Sequence, residues 1–366
     1  MVSSRDEHWM KRALKLAEKG RGFVSPNPMV GACLIKKNRL ISEGFHARFG
    51  GPHAEVEAIR RAGKRSKGAT LYITLEPCST YGKTPPCTDA IREAKISRVV
   101  IAAIDPNPKH TRRGIAHLRK LGVRVTTGIL QEEAQKQNEA FSKWIRTSLP
   151  FVILKMAQSL DGKIASNTGS SRWISGPLAR AWVHKVRASC DAVLVGKNTV
   201  LKDDPRLTVR TNGVPVREPW RIVLDEKGTV PKTTRIFREE APIVLACSEK
   251  FLNPVTKKFR NTKVTIMPLK ANAGKLDLKQ LLRNLGSLGI ASLLVEGGGE
   301  VAWSFFEKGL VDKVEWVLTP KIIGGRDAKT SVEGSGISSL ERAISLKPAR
   351  IIPLGKDFLF EAYVKS

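Results

Sequence analysis

Apolar positions fall into short blocks whose period switches between helix-like and strand-like at glycines and prolines. Trp9, Ala13, Leu14, Leu16 and Ala17 recur near helical spacing, and Gly20 ends that segment. Ser25-Pro26-Asn27-Pro28 forces an extended turn into a strand from Val30 to Ile35. Lys37-Asn38 turns the chain into a second strand, Leu40 to Phe45. A helix is expected over His53 to Gly63, with Val56 and Ile59 inward, then a strand over Ala69 to Leu75. Helices over Thr88 to Ala94 and Gly114 to Leu121 alternate with strands over Val99 to Ala103 and Val123 to Thr127. This alternation predicts a three-layer α/β domain.

Thr147-Ser148-Leu149-Pro150 closes a helical stretch and opens a strand, Phe151 to Met156, so a domain boundary is placed there, giving domains 1–147 and 148–366. The second half alternates again. Strands are expected over Ala192 to Gly196, Arg221 to Leu224, Ile243 to Ala246, Val264 to Met267, Ser292 to Val295 and Lys313 to Leu318. Helical patterns cover Pro177 to Ala188, Leu276 to Gly286 and Val301 to Lys308. No repeat links the halves. A chain of 366 residues exceeds what one core usually supports, which agrees with two α/β domains.

Composition narrows the class. With 41% apolar and 27% charged residues the chain reads as a soluble globular protein, and no apolar run is long enough for a membrane helix. The charged segment Met1 to Arg12 lacks a signal-peptide core, so a cytoplasmic location is expected. Lys and Arg total 63 against 34 Asp and Glu, a formal charge of +29. That excess fits nucleic-acid binding, a solvated basic surface, or steering of phosphorylated small molecules. It is spread along the chain with no aromatic-basic RNA-binding motif, which argues against nucleic acid. Five cysteines, an odd number, argue against a disulfide framework; Cys33, Cys190 and Cys247 read as buried filler.

The chemistry gathers between Pro52 and Cys87. His53, Cys78 and Cys87 sit on short, proline-marked turns, a donor set suited to one tetrahedral Zn2+ with the fourth position open. Glu55, two residues from His53, is placed to move protons without ligating. His-x-Glu followed by Pro-Cys is the signature of zinc nucleobase deaminases, in which zinc-activated water adds to an amidine-like ring carbon and the glutamate protonates the departing amine. The cysteines here are nine positions apart, whereas the general signature has three. A structural zinc would need a fourth ligand; His46 is the only nearby candidate, before Phe49-Gly50-Gly51.

The second half is less explicit. Leu293 to Val295 is an apolar strand running into Glu296-Gly297-Gly298-Gly299 and a helix, where free backbone N–H groups could meet a phosphate. It is not the dinucleotide fingerprint. Glu296 reads either as a contact to substrate hydroxyls or as a solvated turn residue, and Asp203-Asp204-Pro205 could be simple turn formers.

In their wider context these motifs resemble the bifunctional riboflavin-biosynthesis deaminase–reductase family. The resemblance is carried by Ser25-Pro26-Asn27-Pro28-Met29-Val30-Gly31, Pro52-His53-Ala54-Glu55, Thr74 to Ser79, Gly82-Lys83-Thr84-Pro85-Pro86-Cys87 and Asp105-Pro106-Asn107-Pro108. It continues through Lys155 to Ala165, Ser171-Arg172-Trp173-Ile174-Ser175, Asp203 to Arg210 and Glu296 to Gly299. The family has the nine-position cysteine separation. The resemblance implies a cytidine-deaminase-like domain followed by a dihydrofolate-reductase-like domain. It implies deamination of a diaminopyrimidinone ribosylamine 5′-phosphate, then NADPH-dependent reduction of the ribosyl group. It assigns Ala157, Trp173, Thr199, Asp203, Gly298 and Gly299 to NADPH, and Asn27, Ser171, Arg187, Arg206, Arg210 and Glu296 to substrate, with Lys155 near it. Arginine forks suit a phosphate monoester. Self-association through the reductase domain is implied as well. Two other readings are a base deaminase acting on flipped nucleotides with an accessory C-terminal domain, and a non-catalytic zinc-stabilised binding module.

Overall fold

A computed structural model describes residues 4–81, 85–210 and 217–365; Gly82, Lys83 and Thr84 of the cysteine motif lie outside the described residues. The chain forms two compact units, Met1–Ser148 and Leu149–Ser366.

The first unit is a five-stranded sheet: β1 (Gly31–Lys36), β2 (Arg39–Phe45), β3 (Thr70–Leu75), β4 (Arg98–Ala103) and β5 (Arg124–Thr127), in the order β2-β1-β3-β4-β5. Lys37 and Asn38 both take positive φ and turn β1 into its antiparallel partner. β3, β4 and β5 run parallel, joined by helical crossovers. Two glycines show how the layers form. Gly31 pairs with Phe45 and Gly44 with Ala32, so the two glycines face opposite sides of the sheet. A Cβ on Gly31 would lie 2.1 Å from the Ala13 carbonyl oxygen in helix Ser4–Ala17, and one on Gly44 would lie 2.5 Å from that of Ala54 in helix Ala54–Ala62. One helix therefore presses on each face, the three-layer arrangement that the alternation predicts. Leu71, Ile73, Val99, Ile101 and Leu118 fill the core between them.

The second unit is built on β6 (Phe151–Ser159), β7 (Ala192–Gly196), β8 (Trp220–Leu224), β9 (Ile243–Ser248), β10 (Val264–Leu269), a ribbon of β11 (Ala271–Asn272) and β12 (Lys275–Leu276), β13 (Ser292–Val295), β14 (Lys313–Thr319), β15 (Leu346–Leu354) and β16 (Asp357–Val364). Nine of these strands form one sheet, β10-β9-β8-β7-β13-β6-β14-β16-β15, parallel from β10 to β14 and antiparallel beyond. The strand order changes direction around β13, where α/β sheets leave a crevice beyond the strands' carboxyl ends. β13 stops at Val295, opposite Leu154, while β6 continues to Ser159, so Lys155 to Ala157 edge an opening.

Two local expectations need correction, and one element is new. Leu276 belongs to the ribbon, and the helix begins at Leu278 because Asp277 caps it, accepting from the Lys279 and Gln280 N–H groups at 2.9 and 3.0 Å. Asp203 ends a helix, Lys197–Asp203, rather than opening a turn, and only Asp204 takes left-handed backbone. The hairpin of β15 and β16 has no counterpart in the sequence reading.

Candidate active sites

Three side chains converge at the sheet end of the first unit. His53 lies just before helix Ala54–Ala62, Cys78 follows β3, and Cys87 opens helix Cys87–Glu93. His53 Nδ1 is 3.1 Å from Cys87 Sγ and 3.7 Å from Cys78 Sγ, and one ligand atom from each residue lies within 4.8 Å of the others. The Cys87 N–H donates to Cys78 Sγ at 3.3 Å, and the Thr88 N–H donates to the Cys78 carbonyl, fixing the two turns against each other. Hydrogen bonds from Cys87 and His53 hold the Cys78 thiol down to about 4. The same contact and burial push Cys87 up.

Glu55 is buried beside this cluster, and its Oε2 has no hydrogen-bond partner among the described residues. Burial pushes its carboxyl up to about 7, opposed by His53. A soft, partly ionised triad with an orphaned buried carboxylate oxygen fits a zinc ion and a polar reactant. His46 is no fourth ligand. Its Nδ1 meets the Pro52 carbonyl at 2.9 Å, its Nε2 meets Asn27 Nδ2 at 3.1 Å, and its ring lies edge-on to His53. Glu76 follows β3, two residues before Cys78. It is buried and accepts from the N–H groups of Asp105, Arg112 and Ile115 at 3.0 to 3.2 Å, knitting the Asp105 to Ile115 loop to the strand that presents Cys78.

The second unit holds a cavity of about 1050 Å³ at the crevice. Ala157, Ser171, Trp173, Thr199, Asp203, Gly298 and Gly299 line it, and so do Lys155, Arg187, Arg210 and Glu296. Gly298 precedes helix Gly299–Glu307, and a Cβ there would meet nothing within 4 Å, so glycine leaves open volume at a helix N-terminus. A Cβ on Gly299 would strike the Thr330 carbonyl at 2.6 Å, which holds that turn to glycine. The size and the unblocked helix start fit an extended dinucleotide. Ser171 donates to Asp203 at 3.5 Å, and the Arg180 guanidinium lies 4.5 Å from the Trp173 ring centre.

Glu296 is not a solvated turn residue. Its side chain is only 9% exposed in the cavity wall and takes a two-pronged hydrogen bond from Arg187, 2.6 Å from Nε and 2.8 Å from Nη2. Although burial opposes ionisation, Arg187 and Lys155 hold its carboxyl down to about 2. Burial lowers the Lys155 ammonium in turn. The Arg187 fork is thus engaged within the protein. Arg206 stands apart from the cavity, 3.4 Å from Glu239 and mostly exposed. His184, which no motif singles out, also lines the cavity, with its ring nitrogens 3.2 and 3.3 Å from Arg210 Nε and N.

The comparisons cover both units. Residues 3–103 match the family described as the cytidine and deoxycytidylate deaminase zinc-binding region, and residues 150–360 match the RibD C-terminal domain. The riboflavin biosynthesis protein RibD of Aquifex aeolicus is 42% identical, with 98% of each chain covered. A solved RibD structure from Acinetobacter baumannii superimposes with a TM-score of 0.88 at 34% identity, covering 99% of both chains. A Thermotoga maritima structure described as a diaminohydroxyphosphoribosylaminopyrimidine deaminase/5-amino-6-(5-phosphoribosylamino)uracil reductase gives 0.87 at 39% identity, again over 99% of both chains.

Proposed function

The chain belongs to the RibD family of bifunctional riboflavin-biosynthesis deaminases and reductases, and from that membership we propose how its two units divide the reaction. The first unit, residues 1–147 in the sequence reading, hydrolyses the 2-amino group of 2,5-diamino-6-ribosylamino-4(3H)-pyrimidinone 5′-phosphate. The second, residues 148–366, reduces the ribosyl group to give 5-amino-6-(5-phosphoribitylamino)uracil. The observation that carries the first step is the His53, Cys78 and Cys87 cluster with the unpartnered Glu55 oxygen beside it.

When bound, zinc supplies a Lewis acid that activates water, and NADPH supplies the hydride. His53, Cys78 and Cys87 would hold the metal. Glu55 takes a proton from the attacking water and returns one to the departing amine, so ammonia leaves neutral. A carboxyl poised near 7 suits both transfers. Asn27, tied to His46, orients the ring. In the second unit Ala157, Trp173, Thr199, Gly298 and Gly299 position NADPH, and Asp203, beside Ser171, faces the ribosyl group. Arg210 receives the phosphate. Glu296, with Arg187 and Lys155, forms the charged floor beneath it.

The substrate is this phosphorylated pyrimidine, and the site of action is the cytoplasm. Among the described residues no helix is long and apolar enough to cross a membrane. Self-association through the second unit is supported by its sheet. Trp316, Leu318, Phe358, Phe360 and Ile351 share one face by register, yet Ile351 is 68% and Phe358 49% exposed. Ile351→Lys should then reduce the mass seen by light scattering. A base-editing deaminase would leave the second-unit cavity without a role.

The test is a coupled assay on the purified, zinc-loaded protein with the diaminopyrimidinone ribosylamine phosphate and NADPH. Ammonia release and loss of nicotinamide absorbance are both expected. Glu55→Gln should abolish the first and Asp203→Ala only the second. Neither signal from folded protein would overturn the assignment.

A further inference from the structure

Asn138 lies in the stretch between the two family matches, at the break between helices Gln131–Gln137 and Glu139–Thr147. Asparagine at such a break usually caps the following helix, but here its side chain makes no capping bond. It is directed instead to a residue 109 positions away. The Met29 N–H donates to Asn138 Oδ1 at 2.8 Å, and Asn138 Nδ2 donates to the Met29 carbonyl at 2.9 Å. The carboxamide therefore completes the backbone of Met29 on both sides, as a neighbouring strand would. Asn138 is 5% exposed and Met29 9%, so no solvent competes for these bonds.

Met29 is two residues from Asn27. The Pro52 carbonyl can only accept, so His46 Nδ1 carries the proton and Nε2 receives Asn27 Nδ2. Pro52 adjoins the ligand His53. A continuous run of bonds thus links Asn138 through Met29, Asn27 and His46 to the turn that presents His53. With Nδ2 committed to His46, Asn27 keeps Oδ1 as an acceptor for a ring N–H of the substrate.

We propose that Asn138 is a positioning residue of the deaminase site, holding the Asn27 loop in register with the metal turn through its two bonds to Met29. The helices after β5 are then part of the deaminase, not a linker to the second unit. The inference rests on Asn27 contacting the substrate.

The test is a double-mutant cycle in the full-length, zinc-loaded protein, read by ammonia release. Asn138→Ala should raise the deaminase KM roughly tenfold, the worth of about one to two net hydrogen bonds. The zinc content and the reductase KM should stay unchanged. Asn138→Asp keeps an acceptor for the Met29 N–H but offers no donor to its carbonyl, and should also raise KM; it serves if the alanine variant fails to fold. In an Asn27→Ala background, either Asn138 substitution should add little, because both act through one contact. If Asn27→Ala raises KM but the Asn138 variants do not, or if the effects simply add, the positioning role is overturned. If Asn27→Ala leaves KM unchanged, the reading of Asn27 fails, and the proposal with it.

Discussion

Glu296→Gln probes the charged floor of the reductase cavity. Gln preserves the shape but takes from Arg187 and Lys155 the carboxylate charge nearest to them, in a pair whose side chains are only 14% and 9% exposed at Arg187 and Glu296. The Glu296 carboxyl falls from 4.5 to about 2 on folding, and at 1.36 kcal/mol per pH unit that is roughly 3 kcal/mol at neutral pH. Removing one partner of a buried pair costs about 3–5 kcal/mol. Lys155, whose ammonium burial already lowers, loses its main favourable charge partner as well. The expectation is therefore a loss of about 3 kcal/mol, or about 6–12 °C in Tm for a unit of this size. Urea unfolding followed by tryptophan emission reports it, since five of the seven tryptophans lie in the second unit. A depressed folded-state pKa gives stability that is present above the unfolded value and is lost as pH falls toward the folded one. The gap between wild type and variant should thus be full at neutral pH, fall below half by about pH 3, and close near the folded value. A gap under about 1 kcal/mol at neutral pH, or one that does not change with acidification, would refute the reasoning.

The other predictions follow from placement. Glu55→Gln should retain one zinc by metal analysis while ammonia release falls about 10²–10⁴-fold or more. Cys87→Ser should lose zinc and ammonia release, yet still oxidise NADPH when given the deaminated intermediate, because the cluster and the cavity lie in separate units. Arg206→Ala should leave the reductase kcat/KM within about twofold, whereas Arg210→Ala should raise KM about tenfold or more, the loss of a charged phosphate contact.

The first unit was legible because its chemistry is local. Each zinc-site residue sits at the end of an element whose period or proline shows in the sequence, and the parallel sheet brings those ends together. The second unit hid more, for physical reasons. Helix Lys197–Asp203 has seven residues and buries only Val200, too little to show a period. β15 is exposed along most of its length, so no alternation marks it. From sequence Glu296 reads either as a substrate contact or as a solvated turn residue, because its partner Arg187 is 109 positions away and nothing local shows that a glycine-flanked carboxylate is paired.

Arg206 and Arg210 show the same limit within one motif. They are four residues apart in a segment the resemblance treats as a unit, but Leu207 between them takes a positive φ and is buried. That residue turns the chain, so one arginine reaches the cavity and the other reaches Glu239. A motif fixes which residues are near each other in sequence, and the backbone decides which share a side. Asn138 is the converse case. Its bonds join residues 109 positions apart, no motif contains it, and only the folded first unit brings its amide to Met29. Residues that touch substrate therefore show as short motifs, while those that hold the motifs in place are distributed through the fold, where sequence spacing carries no sign of them.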